Sequence, residues 1–216
     1  MPSGSWEEAV ICSRNWAFYG PWFTGYMGDI SFSMDVVSTE KANPKVNFLY
    51  PVALESAIQG FLTAYHGHEV YDEDKLTPYL KGPLNWTPLK QLPVPAVQLD
   101  VEEVSTYGRH LRYVFIPVSR DRLLTIQFDY GQSCAGNWKD KDAKISPKPM
   151  LDLIQNIISS IRLTPSPELQ TEIDHAKEAC TGDYSVSPEC QPFKWPADVD
   201  KDGLTILEYR KDRYKN

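Results

Sequence analysis

No run of about 18 consecutive apolar residues occurs in the 216-residue chain, which excludes a membrane-spanning helix. Cationic residues are in the minority, 22 Lys and Arg against 29 Asp and Glu, and the net charge is -7. Binding to nucleic acid needs a concentrated cationic surface, so no nucleic-acid partner is expected and a basic protein is the more natural one. The four cysteines include no Cys-x-x-Cys pair, which argues against a zinc ribbon or thioredoxin-like chemistry. There is no Gly-x-Ser-x-Gly elbow, P-loop or dinucleotide glycine pattern, and no repeat of fixed period. The start, MPSGSWEEAV, has neither a basic n-region nor an apolar h-region, so any secretion signal is expected to have been removed or never present.

What is present is enough apolar and aromatic side chain to bury a core. Residues 29–37 place Ile30, Phe32, Met34 and Val36 in alternation with Ser31, Ser33 and Asp35, the period of a half-buried strand. Residues 51–65 set Leu54, Ala57, Ile58, Phe61, Leu62 and Tyr65 at helical spacing, with Pro51 in the first turn. Strand-like runs follow at 96–104, 110–118 and 122–130, and their short links favour an antiparallel meander. Residues 148–162 give a second amphipathic helix. Ser166-Pro167-Glu168 reads as a cap, a proline at the first helical position and an early acid, opening a helix that runs to about Cys180.

This order predicts an α+β fold, an antiparallel sheet with packed amphipathic helices. It divides the chain into a core domain over 1–165 and a C-terminal appendage over 166–216. The element order over 29–163 resembles the PsbP/Mog1-like fold, whose closing helix would correspond to the one ending in SSIRL.

Cys180 and Cys190 bracket the turn-rich segment TGDYSVSPE, whose ends can meet, and Cys12 is then left to pair with Cys134. Two disulfides imply an exported protein, periplasmic or secreted; the alternative is four ordinary thiols in a reducing compartment.

Near the C-terminus Asp198, Asp200 and Asp202 alternate before Gly203, a spacing that converges hard oxygen ligands on a cation. The run resembles the DxDxDG loop of EF-hand-like and thrombospondin-type calcium sites. That resemblance implies Ca2+ as cofactor, with Leu204 giving a main-chain carbonyl and Glu208 closing the set. Glu208 stands one residue before the twelfth position, which Tyr209 occupies. An acidic solvated turn is the other account of the same residues.

Residues 72–95 are rich in Pro, Asp and Gly and read as a long ordered loop. With its flank it offers Tyr71, Asp72, Glu73, Asp74, Tyr79 and Trp86 as contact residues for a protein partner, although Trp86 could equally cover the edge of the core. The aromatic start, Trp16, Phe18, Tyr19, Trp22, Phe23 and Tyr26 among Gly20, Pro21 and Gly25, fits core packing or a contact platform. His66, His68 and Glu69 follow the first helix without the spacing of a zinc protease motif.

With no catalytic set assembled, a binding role is expected. The small α+β layout with disulfides looks like periplasmic immunity proteins of the type VI secretion effector–immunity class. That resemblance implies an inhibitor that occludes the active site of a basic toxic effector. An exported hydrolase acting on carbohydrate, or a calcium-clipped subunit of an envelope assembly, is the alternative.

Overall fold

The computed structural model describes residues 6–39, 46–66, 70–72, 77–78, 80–103, 110–180 and 182–189. Along them run β1 (Trp6–Tyr19), β2 (Tyr26–Thr39), α1 (Pro51–His66), β3 (Val70–Asp72), β4 (Thr77–Pro78), β5 (Leu80–Pro88), β6 (Val97–Glu103), β7 (His110–Pro117), β8 (Arg122–Gln132), α2 (Trp138–Lys144), α3 (Lys148–Ser160) and α4 (Pro167–Ala179). Six strands form one antiparallel sheet in the order β1-β2-β8-β7-β6-β5, and β3 pairs with β4 separately. The α+β class and the meander are as the periodicity predicts.

Strand alternation sends side chains to two faces, and each face has its own helices. Val37, Leu99, Leu111, Phe115 and Leu123 meet Leu54, Ile58 and Phe61 of α1. Ile30, Val114, Ile116, Ile126 and Phe128 meet Met150, Ile154 and Ile158 of α3, together with Ile173 and Ala176 of α4. The helix after residue 165 therefore packs into the core beside α3. Ser166 caps it as expected, its hydroxyl accepting the Leu169 N–H at 3.3 Å.

Five elements depart from the sequence reading, the short strands β3 and β4 among them. The supposed loop over 72–95 contains β5, masked in sequence by Pro83, Pro88 and Gly82, which a strand tolerates at a sheet edge. Strand β1 lies at the opposite edge, and α2 is a short charged helix capped by Asn137.

No disulfide is formed among the described residues. Cys12, Cys134 and Cys180 are free thiols, and Cys190 lies outside the described residues. Cys12 sits opposite Met34, which pairs with Ile126, whereas Cys134 follows Gln132 at the far end of β8. The six residue steps from Ile126 to Gln132 span roughly 20 Å, far beyond the reach of a disulfide.

Candidate binding site

Strands β1 and β2 make a hairpin of two 14-residue arms. From Asn15 to Gly28 it carries no charged residue. The arms diverge in role along their length. Trp16 and Phe18 turn toward the α3 face and pack against its cluster, and Trp16 meets Phe32 edge-on at 5.9 Å. Beyond them Tyr19 and Tyr26 face each other at 5.9 Å, and Tyr19 is largely exposed. At the tip Trp22 is 88% exposed and Phe23 fully so.

The tip is a built turn. The Gly20 N–H donates to the Gly25 carbonyl at 3.0 Å, and the Thr24 hydroxyl donates to the Pro21 carbonyl at 2.7 Å. Trp22 and Phe23 hold φ values of 38° and 63°, in the left-handed region that a Cβ disfavours by about 1–2 kcal/mol per residue. Gly25 takes φ 73° at no such cost. At the base, Gly28 lies so close to the Gly131 carbonyl that no side chain fits, which lets β2 and β8 pair to the end of the arm. Two large aromatics thus stand in solvent on a strained backbone, with none of the described residues covering them.

Tyr26 has its pKa raised by the hydrogen bond to Asp29. Further down the hairpin, on the α1 face, the Tyr65 hydroxyl donates to Glu8 at 2.8 Å. Burial first and that bond second push the Tyr65 pKa up to about 12.

The contact residues expected in the 71–86 region fare differently. Trp86 packs beside the α1 cluster and donates its indole N–H to the Ser187 carbonyl at 2.8 Å, so it covers the core. Tyr71 and Asp72 belong to β3, opposite β4. Glu73, Asp74 and Tyr79 lie outside the described residues, as do Asp198, Asp200, Asp202, Leu204 and Glu208 of the calcium motif. Among the described residues no three His, Cys, Asp or Glu side chains are placed to hold a metal ion. No described helix is long and apolar enough to cross a membrane.

Buried carboxylates do not gather into a catalytic pair among the described residues. Glu55 of α1 accepts the Ser187 N–H at 2.6 Å. Asp100 accepts two hydrogen bonds from Arg112, at 2.7 and 3.0 Å, and one from Asn85 at 2.8 Å. Asp35 lies on the α1 face of β2 with its pKa raised, chiefly by burial. A cavity of about 220 Å³ opens between the 89–96 turn and Asp183–Ser185, lined by Leu89, Leu92, Ala96 and Tyr184, with Lys90 and Asp183 its charged residues. None of the three carboxylates reaches it.

The sequence contained the signal for the tip, since all six aromatics were visible together. Composition could not divide them into core and contact. The hairpin makes that division, because Trp16 and Phe18 fall beside the helices and Trp22 and Phe23 fall past the end of the sheet. No protein family, curated protein or solved structure matches this chain.

Proposed function

We propose that the protein is an inhibitory binding protein of the immunity type, which neutralises a toxic effector by seating the β1–β2 tip in the effector's active-site cleft. The observation that carries this reading is the pair Trp22 and Phe23, free in solvent on a strained turn at the end of an uncharged arm. Trp and Phe give large apolar contact for few rotatable bonds, and a projecting turn suits a concave partner better than a flat one. The net charge of -7 would speed encounter with a basic effector, while the uncharged tip makes the close contact.

The test is capture of the effector from the source cell, followed by calorimetry with Trp22→Ser and Phe23→Ser. Each substitution should weaken binding by about 2 kcal/mol or more, at least roughly thirtyfold. An effector bound equally well by both variants, or the absence of any captured protein at micromolar concentration, overturns the reading. Protection of cells exposed to that effector, lost in the double variant, separates inhibition from mere binding.

The immunity reading puts the protein where such an effector acts, in the periplasm or outside the cell. Disulfides no longer support that location, since three thiols are free. The Ca2+ reading of Asp198, Asp200, Asp202, Leu204 and Glu208 rests on spacing alone. It requires the melting temperature to rise with Ca2+ and Asp200→Ala to abolish the rise.

A further inference from the structure

Strand β1 leaves one edge of the six-stranded sheet without a strand partner among the described residues. The two edges are built differently. At the far edge β5 carries Pro83 and Pro88 and breaks register twice against β6, features that discourage strand addition. On β1 there is no proline, and between irregularities at Val10/Cys12 and Phe18/Tyr19 the strand runs regularly from Cys12 to Phe18. That stretch presents an edge row of backbone donors and acceptors with Arg14 as its only charge, and the Arg14 guanidinium donates to the Ser13 carbonyl at 2.8 Å.

Apolar exposure flanks the regular stretch on both sides. Val10 is 69% and Ile11 52% exposed at one end, and Tyr19 is 72% exposed at the other. We propose that this edge pairs antiparallel with β1 of a second copy about a two-fold axis at Asn15, making one continuous sheet across a homodimer.

The register follows from self-complementarity. About Asn15, Ser13 meets Ala17 of the second copy, Arg14 meets Trp16, Cys12 meets Phe18 and Ile11 meets Tyr19. Faces agree, because Cys12, Arg14, Trp16 and Phe18 share the α3 side of the strand and Ser13 and Ala17 the other. Arg14 therefore lies across from an aromatic ring and not from its own copy, which turns a like-charge clash into a cation–π contact. The exposed Ile11 of one copy and Tyr19 of the other are brought together just outside the regular stretch, once at each end. Trp22 and Phe23 lie beyond the paired stretch, so this inference goes past the inhibitory reading and does not depend on it.

The test is the mass in solution, by light scattering on the eluted peak at micromolar concentration. The wild type should run at twice the 24.6 kDa chain mass. Ser13→Lys with Ala17→Lys places like charges across both copies of one pair and should give the single-chain mass. Ser13→Lys with Ala17→Glu places opposite charges there and should restore the dimer, which no simple loss of folding can mimic. Trp22→Ser with Phe23→Ser should remain dimeric. A monomeric wild type, a dimeric double-lysine variant, a monomeric Lys/Glu variant or a monomeric tip variant each overturns the proposal, and none of these outcomes bears on effector capture.

Discussion

Trp86 on β5 donates its indole N–H to the carbonyl of Ser187, 101 residues away in sequence, and the N–H of the same Ser187 is held at 2.6 Å by Glu55 of α1. One residue of the 182–189 segment is therefore gripped from a helix and from an edge strand, with Val186 beside it buried in the α1 cluster. Trp86→Phe keeps much of the ring and removes the donor, and should cost about 1 kcal/mol. Glu55→Ala removes a charge-assisted bond and should cost about 1.5–3 kcal/mol. Because both bonds fix the same residue, releasing it once leaves less for the second change to release. The double variant should lose less than the two single losses combined in urea denaturation. Trp86→Phe should leave effector affinity unchanged; a large drop in affinity would return Trp86 to the contact surface.

Asp35 provides a pH test with a definite sign. Burial on the α1 face raises its pKa, the nearby Glu8 charge adds to the rise, and a hydrogen bond from Ser33 opposes it. The folded protein thus binds this proton more tightly than the unfolded chain does. Stability from this group is fully present below the unfolded carboxyl value of about 3.9 and is lost as pH rises through the folded value. Urea midpoints measured at successive pH values should fall more steeply over that window for the wild type than for Asp35→Asn. Parallel profiles would mean that Asp35 titrates alike in both states.

Arg112 and Asp100 face each other across β7 and β6, joined by two hydrogen bonds, with both side chains largely withdrawn from water. The bond to Asp100 raises the Arg112 pKa, against the effect of burial. Arg112→Leu leaves the carboxylate with Asn85 alone and should destabilise by about 3–5 kcal/mol. Adding Asp100→Leu removes the stranded charge and should recover most of that loss. A cost under about 1 kcal/mol for Arg112→Leu would place the pair among solvent-screened surface bridges.

The contrast between legible and illegible parts of the fold has a physical origin in burial. Strands β6, β7 and β8 could be read because one face or both is packed, so Leu99, Val101, Leu111 and Ile126 keep strict register with their helices. Helices α1 and α3 could be read for the same reason. Strand β1 could not, because it is an edge with most of its residues in water, and the extra residue near Ile11 shifts the alternation partway along. Strand β5 was hidden by prolines that only an edge permits. The pairing of Cys12 with Cys134 misled because an even count says nothing about distance, and the sheet register sets the two far apart. At the candidate site, aromatic content was readable but exposure was not, since the same six residues serve a core or a contact until the hairpin's length is known.

Phe23 separates stability from function most sharply. Its φ of 63° is one that asparagine adopts with less strain than phenylalanine, and its ring touches solvent on all sides. Phe23→Asn should therefore raise the unfolding free energy by up to about 1 kcal/mol, read as a shift of the urea midpoint without change in slope. The same substitution removes the ring that the inhibitory reading places in the effector's cleft, so affinity should fall as stability rises. A residue kept only for the fold would show the opposite, a loss of stability with binding untouched. The two measurements on one variant decide whether the strain at the tip is retained for contact.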